Sequence, residues 1–291
     1  MKFVPENAAE FAAPGANVQE SYFAASSNVR LRVVHFSPAQ QTNWPTLVFV
    51  AGWISKMTAW REVLQELTRE FEVFYIETRE KISSQIRGKV GYGVADIGND
   101  LISLIPQFPI AGGQYVLLGS SLGATAILHS AAQLSPPPFA LILVAPNAVF
   151  RVPWWGLALI RLFPPRLYLF FRPFIKWYLR NFRLNVQEDY AQYEKYASSL
   201  DAADPWKLKK GIFALAKYSV WPRLQTVRCP VLIVGASKDT LHEPENLKKM
   251  VGLLSTARYV DLETNRGTHS QKLVEVTRTF LAELEVSQNT R

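Results

Sequence analysis

Residues 115–124 read Tyr-Val-Leu-Leu-Gly-Ser-Ser-Leu-Gly-Ala, and this stretch decides the fold. The apolar run that ends at Leu118 predicts a buried strand, and the residues after Gly123 predict a helix. Between them Gly119, Ser121 and Gly123 form a Gly-x-Ser-x-Gly pattern. A sharp turn from strand to helix needs small residues two positions either side of its serine, because the two elements pack closely there. The stretch therefore predicts a strand, a tight turn with Ser121 at its tip, and a helix.

Ser121 is the candidate nucleophile. A serine at such a turn stands at the carboxyl end of the sheet and at the start of a helix, where the backbone N–H of Leu122 can stabilise a developing oxyanion. Two other interpretations stay open: Ser121 is a structural residue of the turn, or the glycine-rich turn binds phosphate. The phosphate interpretation lacks the lysine of a P-loop and the Gly-x-Gly-x-x-Gly spacing of a dinucleotide site.

A serine nucleophile needs a base and an acid, and candidates for both follow later in the chain. The base removes the hydroxyl proton, and the acid orients the base and stabilises its charged form. Asp239 comes soon after the apolar run Val231–Val234, and His269 comes soon after the run Arg258–Leu262. Because ligands of open α/β sheets bind at the carboxyl ends of the strands, both residues are expected close to Ser121.

Alternatives exist for the base and for the acid. His242 lies in the same loop as Asp239 and is a second candidate base, although a position at the mouth of the site suits it as well. Glu243 is a nearby carboxylate, which leaves a capping or turn role open for Asp239. Residues 146–147, after another apolar run, offer no carboxylate. Asp239 and His269 are therefore the preferred pair.

The rest of the sequence alternates between strands and helices. Continuous apolar runs predict strands buried on both faces, and amphipathic stretches between them predict helices. The alternating segments Val18–Ala24 and Val29–Phe36 predict an opening hairpin. The other predicted strands are Thr46–Ala51, Glu72–Ile76, Tyr115–Leu118, Leu141–Val144, Val231–Val234 and Arg258–Leu262. The predicted helices are Thr58–Arg69, Val94–Leu104, Leu122–Gln133, Glu243–Leu254 and Ser270–Leu284. This pattern predicts an α/β fold with a mostly parallel central sheet and helices on both faces.

The alternation stops between residues 147 and 222, which we predict to be an inserted helical cap on a core formed by residues 1–146 and 223–291. Within this segment, residues 151–183 carry seven basic residues, ten aromatic residues and no acidic residue. Such a composition suits a roof over the active site. It also suits a surface that lies on an anionic membrane with its arginine side chains reaching the headgroups. Single-stranded nucleic acid would suit it too, but the catalytic residues give that partner no purpose, so no nucleic acid is expected.

The order serine, aspartate, histidine, together with the turn and its strand context, resembles the α/β-hydrolase superfamily over nearly the whole chain. The resemblance implies an α/β-hydrolase fold with an inserted helical cap, a serine esterase or lipase-like activity, and no cofactor. It also implies that the backbone N–H of Trp53 is the second donor of the oxyanion hole, beside that of Leu122. Ala51 departs from the family pattern, which usually has a histidine at this position.

Composition sets further limits. The 291 residues carry a formal net charge of +8, and 48% of them are hydrophobic, which is an ordinary globular balance. The single cysteine, Cys229, excludes an internal disulfide, and the four scattered histidines lack metal-site spacing, so no metal is expected. No apolar run is long enough for a membrane span and the start of the chain lacks the pattern of a secretory signal, so a cytoplasmic protein is expected.

The sequence therefore predicts a hydrolase that cleaves a carboxylic ester of a hydrophobic substrate, such as a lipid, fatty-acyl or isoprenoid ester, through an acyl-serine intermediate. Amidases, thioesterases and carbon-carbon bond hydrolases of the family use the same catalytic residues. The alternative from another class is an inactive hydrolase-fold protein that serves as a membrane-binding or protein-binding module. An anionic membrane surface is the candidate partner of residues 151–183, and the oligomeric state is left open.

Overall fold

The computed structural model describes residues 6–110, 113–184, 186–187, 189–239 and 244–289. Its described residues form a nine-stranded central sheet. The strands are β1 (Asn17–Ser26), β2 (Val29–Ser37), β3 (Thr46–Val50), β4 (Val73–Ile76), β5 (Gln85–Ile86), β6 (Tyr115–Ser120), β7 (Ala140–Val144), β8 (Val231–Gly235) and β9 (Ala257–Asp261). They lie in the order β1-β2-β4-β3-β6-β7-β8-β9, with β5 paired to β2. Strands β3, β4 and β6 to β9 are parallel, whereas β2 pairs antiparallel with β1 and β4.

The described residues also form ten α-helices. They are α1 (Arg61–Leu67), α2 (Val94–Leu104), α3 (Leu122–Ser130), α4 (Trp154–Leu162), α5 (Leu167–Tyr178), α6 (Tyr190–Ala202), α7 (Pro205–Leu215), α8 (Trp221–Leu224), α9 (Pro244–Leu253) and α10 (Gln271–Asn289). Residues of α2, α3, α8 and α9 pack into the core on one face, and residues of α1 and α10 pack into the core on the other.

The continuous apolar runs are explained by this double cover. In β3, Val48 and Val50 belong to one core and Leu47 and Phe49 to the other, and all four are fully buried. A strand that is covered on both faces must be apolar at every position, which is why the run shows no alternation. The predicted α/β fold with a mostly parallel sheet is confirmed.

Differences from the sequence prediction are confined to ends and to one short strand. Strand β5 was not predicted, because two residues leave no apolar run. The helix expected from Thr58 starts as a 3-10 turn at Met57–Trp60 and continues as α1. The helix expected over Glu243–Leu254 is α9, which begins at Pro244, and Glu243 lies outside the described residues.

Helices α4 to α8 follow one another between β7 and β8, within residues 147–222. An isolated antiparallel bridge between Val149 and Ser219 joins the two ends of this segment. The division into a core and a cap stays a prediction. Helices α4 and α5 contain no buried residue, although both are rich in apolar side chains. Among the described residues, no helix combines the length and the apolar composition that a membrane crossing requires.

Candidate active site

The turn between β6 and α3 holds Ser121 in a strained backbone conformation. Ser121 has φ +47° and ψ −115°, in a region that residues with a side chain rarely adopt. Such a conformation costs about 1 to 3 kcal/mol and persists only where the surroundings enforce it. Here the Ser121 N–H donates to the carbonyl oxygen of Val144 at 2.8 Å, and Thr125 Oγ1 lies 3.0 Å from the carbonyl oxygen of Ser121.

Both glycines of the pattern are required by close packing. A Cβ atom on Gly123 would lie 2.1 Å from the carbonyl oxygen of Val50, and one on Gly119 would lie 2.5 Å from Ile127 Cδ1. Neither distance is sterically possible for a side chain. The start of α3 therefore sits directly against the end of β3, and this contact fixes the position of Ser121.

Ser121 and His269 line one pocket of about 230 Å³. The pocket walls are the residues Gly52, Trp53, Ile54, Ser55, Trp60, Ser120, Ser121, Val144, Ala145, Lys195, Tyr196, Ser199, Asn265, Thr268 and His269. Four described non-glycine residues have a positive φ, and three of them, Ile54, Ser121 and Ala145, line this pocket. Backbone strain of this kind clusters at functional sites, so the pocket is the candidate active site.

His269 follows β9 in the 3-10 turn Gly267–His269. Its Nδ1 lies 2.9 Å from the carbonyl oxygen of Asn265 and 3.0 Å from Thr268 Oγ1. A carbonyl oxygen can only accept a hydrogen bond, so Nδ1 carries the proton and the lone pair is on Nε2. The ring of Trp60 stacks on the imidazole, with a centroid distance of 4.0 Å.

Asp239 is buried after the end of β8, with 6% of its surface exposed. Its Oδ2 accepts a hydrogen bond from Asn265 Nδ2 at 3.1 Å. Because the carbonyl oxygen of the same Asn265 accepts from His269, the aspartate and the histidine are joined through one residue. The alternative candidates His242 and Glu243 lie outside the described residues.

The predicted oxyanion donors lie on both sides of Ser121. Leu122 is the first residue of α3, and Trp53 follows β3 by three residues. A Cβ atom on Gly52 would lie 3.3 Å from Ser121 Cβ, which shows how near the loop after β3 comes to the serine. Within the described part of the chain, neither backbone N–H donates to another residue. Both groups are therefore available for a ligand.

Lys81 holds the loop that contains Trp53. Its Nζ donates a hydrogen bond of 2.6 Å to the carbonyl oxygen of Gly52, and its counter-ion Glu80 lies 3.4 Å away. Burial lowers the pKa of Lys81, and the carboxylate of Glu80 opposes this effect. In a trans peptide the C=O and N–H groups point in opposite directions. The contact therefore fixes the direction of the Trp53 N–H, which belongs to the same peptide unit as the Gly52 carbonyl.

The segment that carries Lys81 is buried although it is rich in charge. Its buried polar residues are Glu77, Thr78, Arg79, Glu80, Lys81, Ser83 and Ser84. Charged residues are rarely buried unless they are paired. Arg79 meets Asp100 of α2 through two hydrogen bonds of 2.5 and 2.7 Å, and Lys207 of α7 donates to the carbonyl oxygen of Lys81 at 2.6 Å.

Asn147 contacts the candidate nucleophile directly. Its Nδ2 donates a hydrogen bond of 2.7 Å to Ser121 Oγ. The position of Asn147 is fixed by Thr125, whose Oγ1 accepts from the Asn147 N–H at 2.9 Å. The contact orients the serine hydroxyl without supplying a base, because an amide nitrogen has no free electron pair to accept a proton.

Lys195 reaches the site from α6. Its Nζ lies 3.2 Å from His269 Nε2 and also contacts Asn265 Oδ1. Burial lowers the pKa of Lys195 to about 8, while the negative charges of Asp239 and Asp189 oppose this effect. The ammonium group of Lys195 thus lies beside Nε2 of His269, the nitrogen that carries the lone pair.

Four residues of the site were not found from the sequence. Asn147 and Lys81 follow the ends of β7 and β4, so a search for polar residues at strand ends would have marked them. Asn265 lies one helical turn before His269, which is a weaker signal. Lys195 gives no local signal, because it comes to the site only through the packing of α6.

The family is shown by sequence comparison. The model of the alpha/beta hydrolase family matches residues 47–271. This range covers β6, the Ser121 turn and α3, the residues of the pocket and the whole segment 147–222. The chain therefore belongs to the alpha/beta hydrolase family, which confirms the resemblance. A comparison with curated proteins gives no significant match.

Solved structures of the same fold agree with this assignment. The enol-lactonase from Burkholderia xenovorans has a TM-score of 0.73 at 17% identity, over 91% of this chain and 100% of that one. A thermophilic esterase from Thermogutta terrifontis has a TM-score of 0.72 at 18% identity, over 91% and 99%. An esterase from Exiguobacterium antarcticum has a TM-score of 0.68 at 15% identity, over 92% and 100%. At these identities the likeness shows the fold alone.

Proposed function

We propose that the chain is a serine hydrolase that cleaves a carboxylic ester of a hydrophobic substrate through an acyl-serine intermediate. The observation that supports this most is that Ser121, held at a strained backbone angle, opens onto the same pocket as His269. Neither a structural turn serine nor a phosphate-binding turn needs a histidine that faces it across a cavity. A nucleophile with its base does need one.

In the proposed reaction, His269 Nε2 accepts the proton of the Ser121 hydroxyl while the oxygen attacks the ester carbonyl. Nδ1 keeps its proton, because it donates to the carbonyl oxygen of Asn265. Asp239, joined to His269 through Asn265, stabilises the imidazolium that forms. The imidazolium then returns its proton to the leaving alcohol. A water molecule, deprotonated by His269, attacks the acyl-serine and releases the acid.

The negative oxygen of the tetrahedral intermediate is assigned to the backbone N–H groups of Leu122 and Trp53. Each donor of this kind typically contributes about 10² to 10³ in rate. Trp53 and Leu122 are distant in the chain. The close contact of Gly123 with the end of β3 brings the loops that carry them together. The geometry thus supports an acyl transfer with no cofactor.

The apolar walls of the pocket support a hydrophobic substrate. The similar structures support an ester as the bond that is cleaved. The apolar lining residues of the pocket are Trp53, Ile54, Trp60, Val144 and Ala145. The neighbours of the same fold include an enol-lactonase and two esterases, which act on ester bonds. Lipid, fatty-acyl and isoprenoid esters share the apolar character that these walls require.

The first test is hydrolysis of p-nitrophenyl esters from acetate to palmitate. Wild type should cleave them, with a preference for longer acyl chains, and Ser121→Ala should lower kcat on the order of 10⁶-fold. Ser120→Ala is the matched control, since Ser120 lines the same pocket as the neighbour of the nucleophile. Equal activity of wild type and Ser121→Ala would refute the proposal.

The second candidate function is an inactive hydrolase-fold protein that binds a membrane or another protein. Ala51 favours it, because a family histidine is missing there. A fluorophosphonate probe separates the two candidates, because it reacts only with an activated serine. Labelling that is lost in Ser121→Ala supports the hydrolase, and absence of labelling supports the binding module.

We also propose that residues 151–183 attach the protein to an anionic membrane surface. The aromatic and leucine side chains expected to pack as a roof are largely exposed: Trp154 is 80% exposed, Leu162 81% and Phe170 77%. Apolar surface of this kind marks an interaction site. Arg161 and Arg166 are exposed among these side chains, which suits a bilayer of negative charge.

The arrangement of the helices supports the same interpretation. Helix α6 lines the pocket, and α5 lies outside it, joined by the hydrogen bond of Tyr168 to the Leu200 carbonyl oxygen and by Arg172 with Asp201. The exposed faces of α4 and α5 are thus separate from the pocket wall. Attachment through these faces would bring the site close to lipid substrates.

A further inference from the structure

Among the described residues that line the pocket, one side chain carries a full formal charge. Of the fifteen residues that line the pocket, Lys195 is the one lysine, arginine, aspartate or glutamate. The other walls are aromatic, aliphatic or neutral polar. An ammonium group in such surroundings loses much of its hydration. The free-energy cost of this loss is offset only by pairing with an opposite charge.

The contacts of Lys195 within the pocket are neutral. Its Nζ meets the amide oxygen of Asn265 and Nε2 of His269. Among the described residues, no carboxylate forms an ion pair with it within 4.0 Å. Asp239 and Asp189 act on it from a greater distance, and burial outweighs them, since the pKa of Lys195 falls to about 8. The site therefore holds a cation whose charge is incompletely compensated.

The position of this cation matters for the proposed reaction. Nε2 of His269 must accept the proton of Ser121, which makes the imidazole positive. Lys195 Nζ lies 3.2 Å from that nitrogen, and two positive charges at this distance repel strongly. A negative group that pairs with Lys195 would remove the repulsion and leave His269 free to accept the proton.

We propose that the ester hydrolysed at this site carries a carboxylate near the scissile carbonyl, and that Lys195 binds it. The inference rests on the proposed function, because it names the substrate class of the same site. The short span between Lys195 and His269 places the carboxylate within a few bonds of the reacting carbon. The substrate is thus an ester with an apolar part and one anionic arm.

A carboxylate fits this site better than a phosphate does. Lys195 supplies one positive charge, and Asp239 and Asp189 already lie near enough to attract it. These aspartates would repel a phosphate of charge about −2 more strongly than a carboxylate of charge −1.

The test compares two esters of similar shape, mono-p-nitrophenyl glutarate and p-nitrophenyl hexanoate, in wild type and variants. Wild type should have the higher kcat/KM for the glutarate ester. Lys195→Met should lower kcat/KM for the glutarate ester by about 10- to 100-fold, as expected for loss of a hydrogen bond to a charged group. It should raise kcat/KM for the hexanoate ester, because the repulsion between Lys195 and the imidazolium of His269 is removed. Lys195→Arg should keep the preference for the anionic ester.

Lys248→Met is the matched control, because Lys248 is an exposed lysine of α9, and it should change neither ester. Thermal melting of each variant checks the fold. Equal losses for both esters in Lys195→Met, or a wild type with no preference, would overturn the assignment of a carboxylate site while hydrolysis itself persists. Failure of the proposed function looks different: neither ester is cleaved and Ser121 is not labelled by fluorophosphonate.

Discussion

At the scale of single residues, Lys81 holds the loop that follows Ala51, the position where the family usually has a histidine. The lysine does not occupy the same position in the chain, but its hydrogen bond to the Gly52 carbonyl oxygen acts on the peptide unit that carries the Trp53 N–H. A buried ammonium group is a strong donor, and its charge also polarises the peptide. Lys81 is thus a positioning residue for the proposed oxyanion hole.

We expect Lys81→Met to lower kcat by about 10- to 100-fold with little change in KM. The Trp53 N–H would still be present, but the loop that carries it would no longer be held in position by the hydrogen bond from Lys81. The measurement is steady-state hydrolysis of p-nitrophenyl butyrate. Lys89→Met is the control, since Lys89 is exposed and should leave kcat unchanged. A rise in KM at constant kcat would show instead that Lys81 supports substrate binding.

Lys195 also has a consequence for stability. Its pKa is about 8 in the folded chain and near 10.5 for an ordinary lysine. Below pH 8 Lys195 is charged in both the folded and the unfolded chain, so the folded chain bears the full free-energy cost of burying this charge. Between pH 8 and 10.5 the unfolded chain binds the extra proton, so the stability of wild type relative to Lys195→Met rises with pH.

The expected rise is about 2 to 3 kcal/mol in the free energy of unfolding of wild type minus that of Lys195→Met, from pH 7 to pH 10. Urea unfolding at both pH values measures it, and other titrating groups cancel in the difference. The same comparison with Lys248→Met should be flat with pH. A flat difference for Lys195→Met would mean that its ammonium group is well solvated.

Residue-scale reasoning from sequence found the residues that have a strand before them. Ser121, Asp239 and His269 each follow a strand, and the strand is visible as an apolar run. Lys195 has no such signal, because its place beside His269 depends on how α6 packs against the loop after β9.

At the scale of elements, the strands could be predicted because helices cover both faces of the sheet, so each strand is a continuous apolar run. The aromatic composition of α4 and α5 could be seen in the sequence, but the direction of their side chains could not. A roof and an interfacial surface need the same residues. In the structure neither helix has a buried residue, while α6 of the same segment lines the pocket, and the choice between the two interpretations stays a prediction.

The proposed membrane surface is tested with three arginines of this segment. Arg161, Arg166 and Arg180 are exposed, whereas Arg172 pairs with Asp201 and is left unchanged. Replacement of the three by Gln should weaken sedimentation with anionic vesicles by about 10- to 100-fold, since each basic residue contributes about 1 kcal/mol near such a surface.

The control for this experiment keeps the change in net charge the same. Arg30, Arg87 and Arg228 are exposed outside residues 151–183, and their replacement by Gln should affect sedimentation little. If both triple variants lose binding equally, the attraction belongs to the net charge of the molecule. If neither loses it, the proposed surface is not the site of attachment.

At the scale of the whole molecule, the charge is unevenly distributed. Residues 151–183 contribute seven positive charges and no negative one, whereas the rest of the chain has 25 basic and 24 acidic residues. The rest of the chain is thus nearly neutral in sum. A field of this form orients a protein toward an anionic membrane as well as attracting it.

Orientation leads to a prediction that joins this surface with the candidate site. The variant with Arg161, Arg166 and Arg180 replaced by Gln should hydrolyse a soluble, monomeric p-nitrophenyl ester with a kcat/KM within about twofold of wild type, because α6 and not α4 or α5 lines the pocket. With a long-chain ester embedded in anionic vesicles at low salt, its rate should fall about 10- to 100-fold, in step with binding. Raising the salt should bring wild type down to the level of the variant, since screening weakens the attraction.

If the variant loses activity on both substrates alike, these arginines act on the catalytic site. If it keeps full activity on vesicles, ester hydrolysis by this chain does not depend on attachment through residues 151–183.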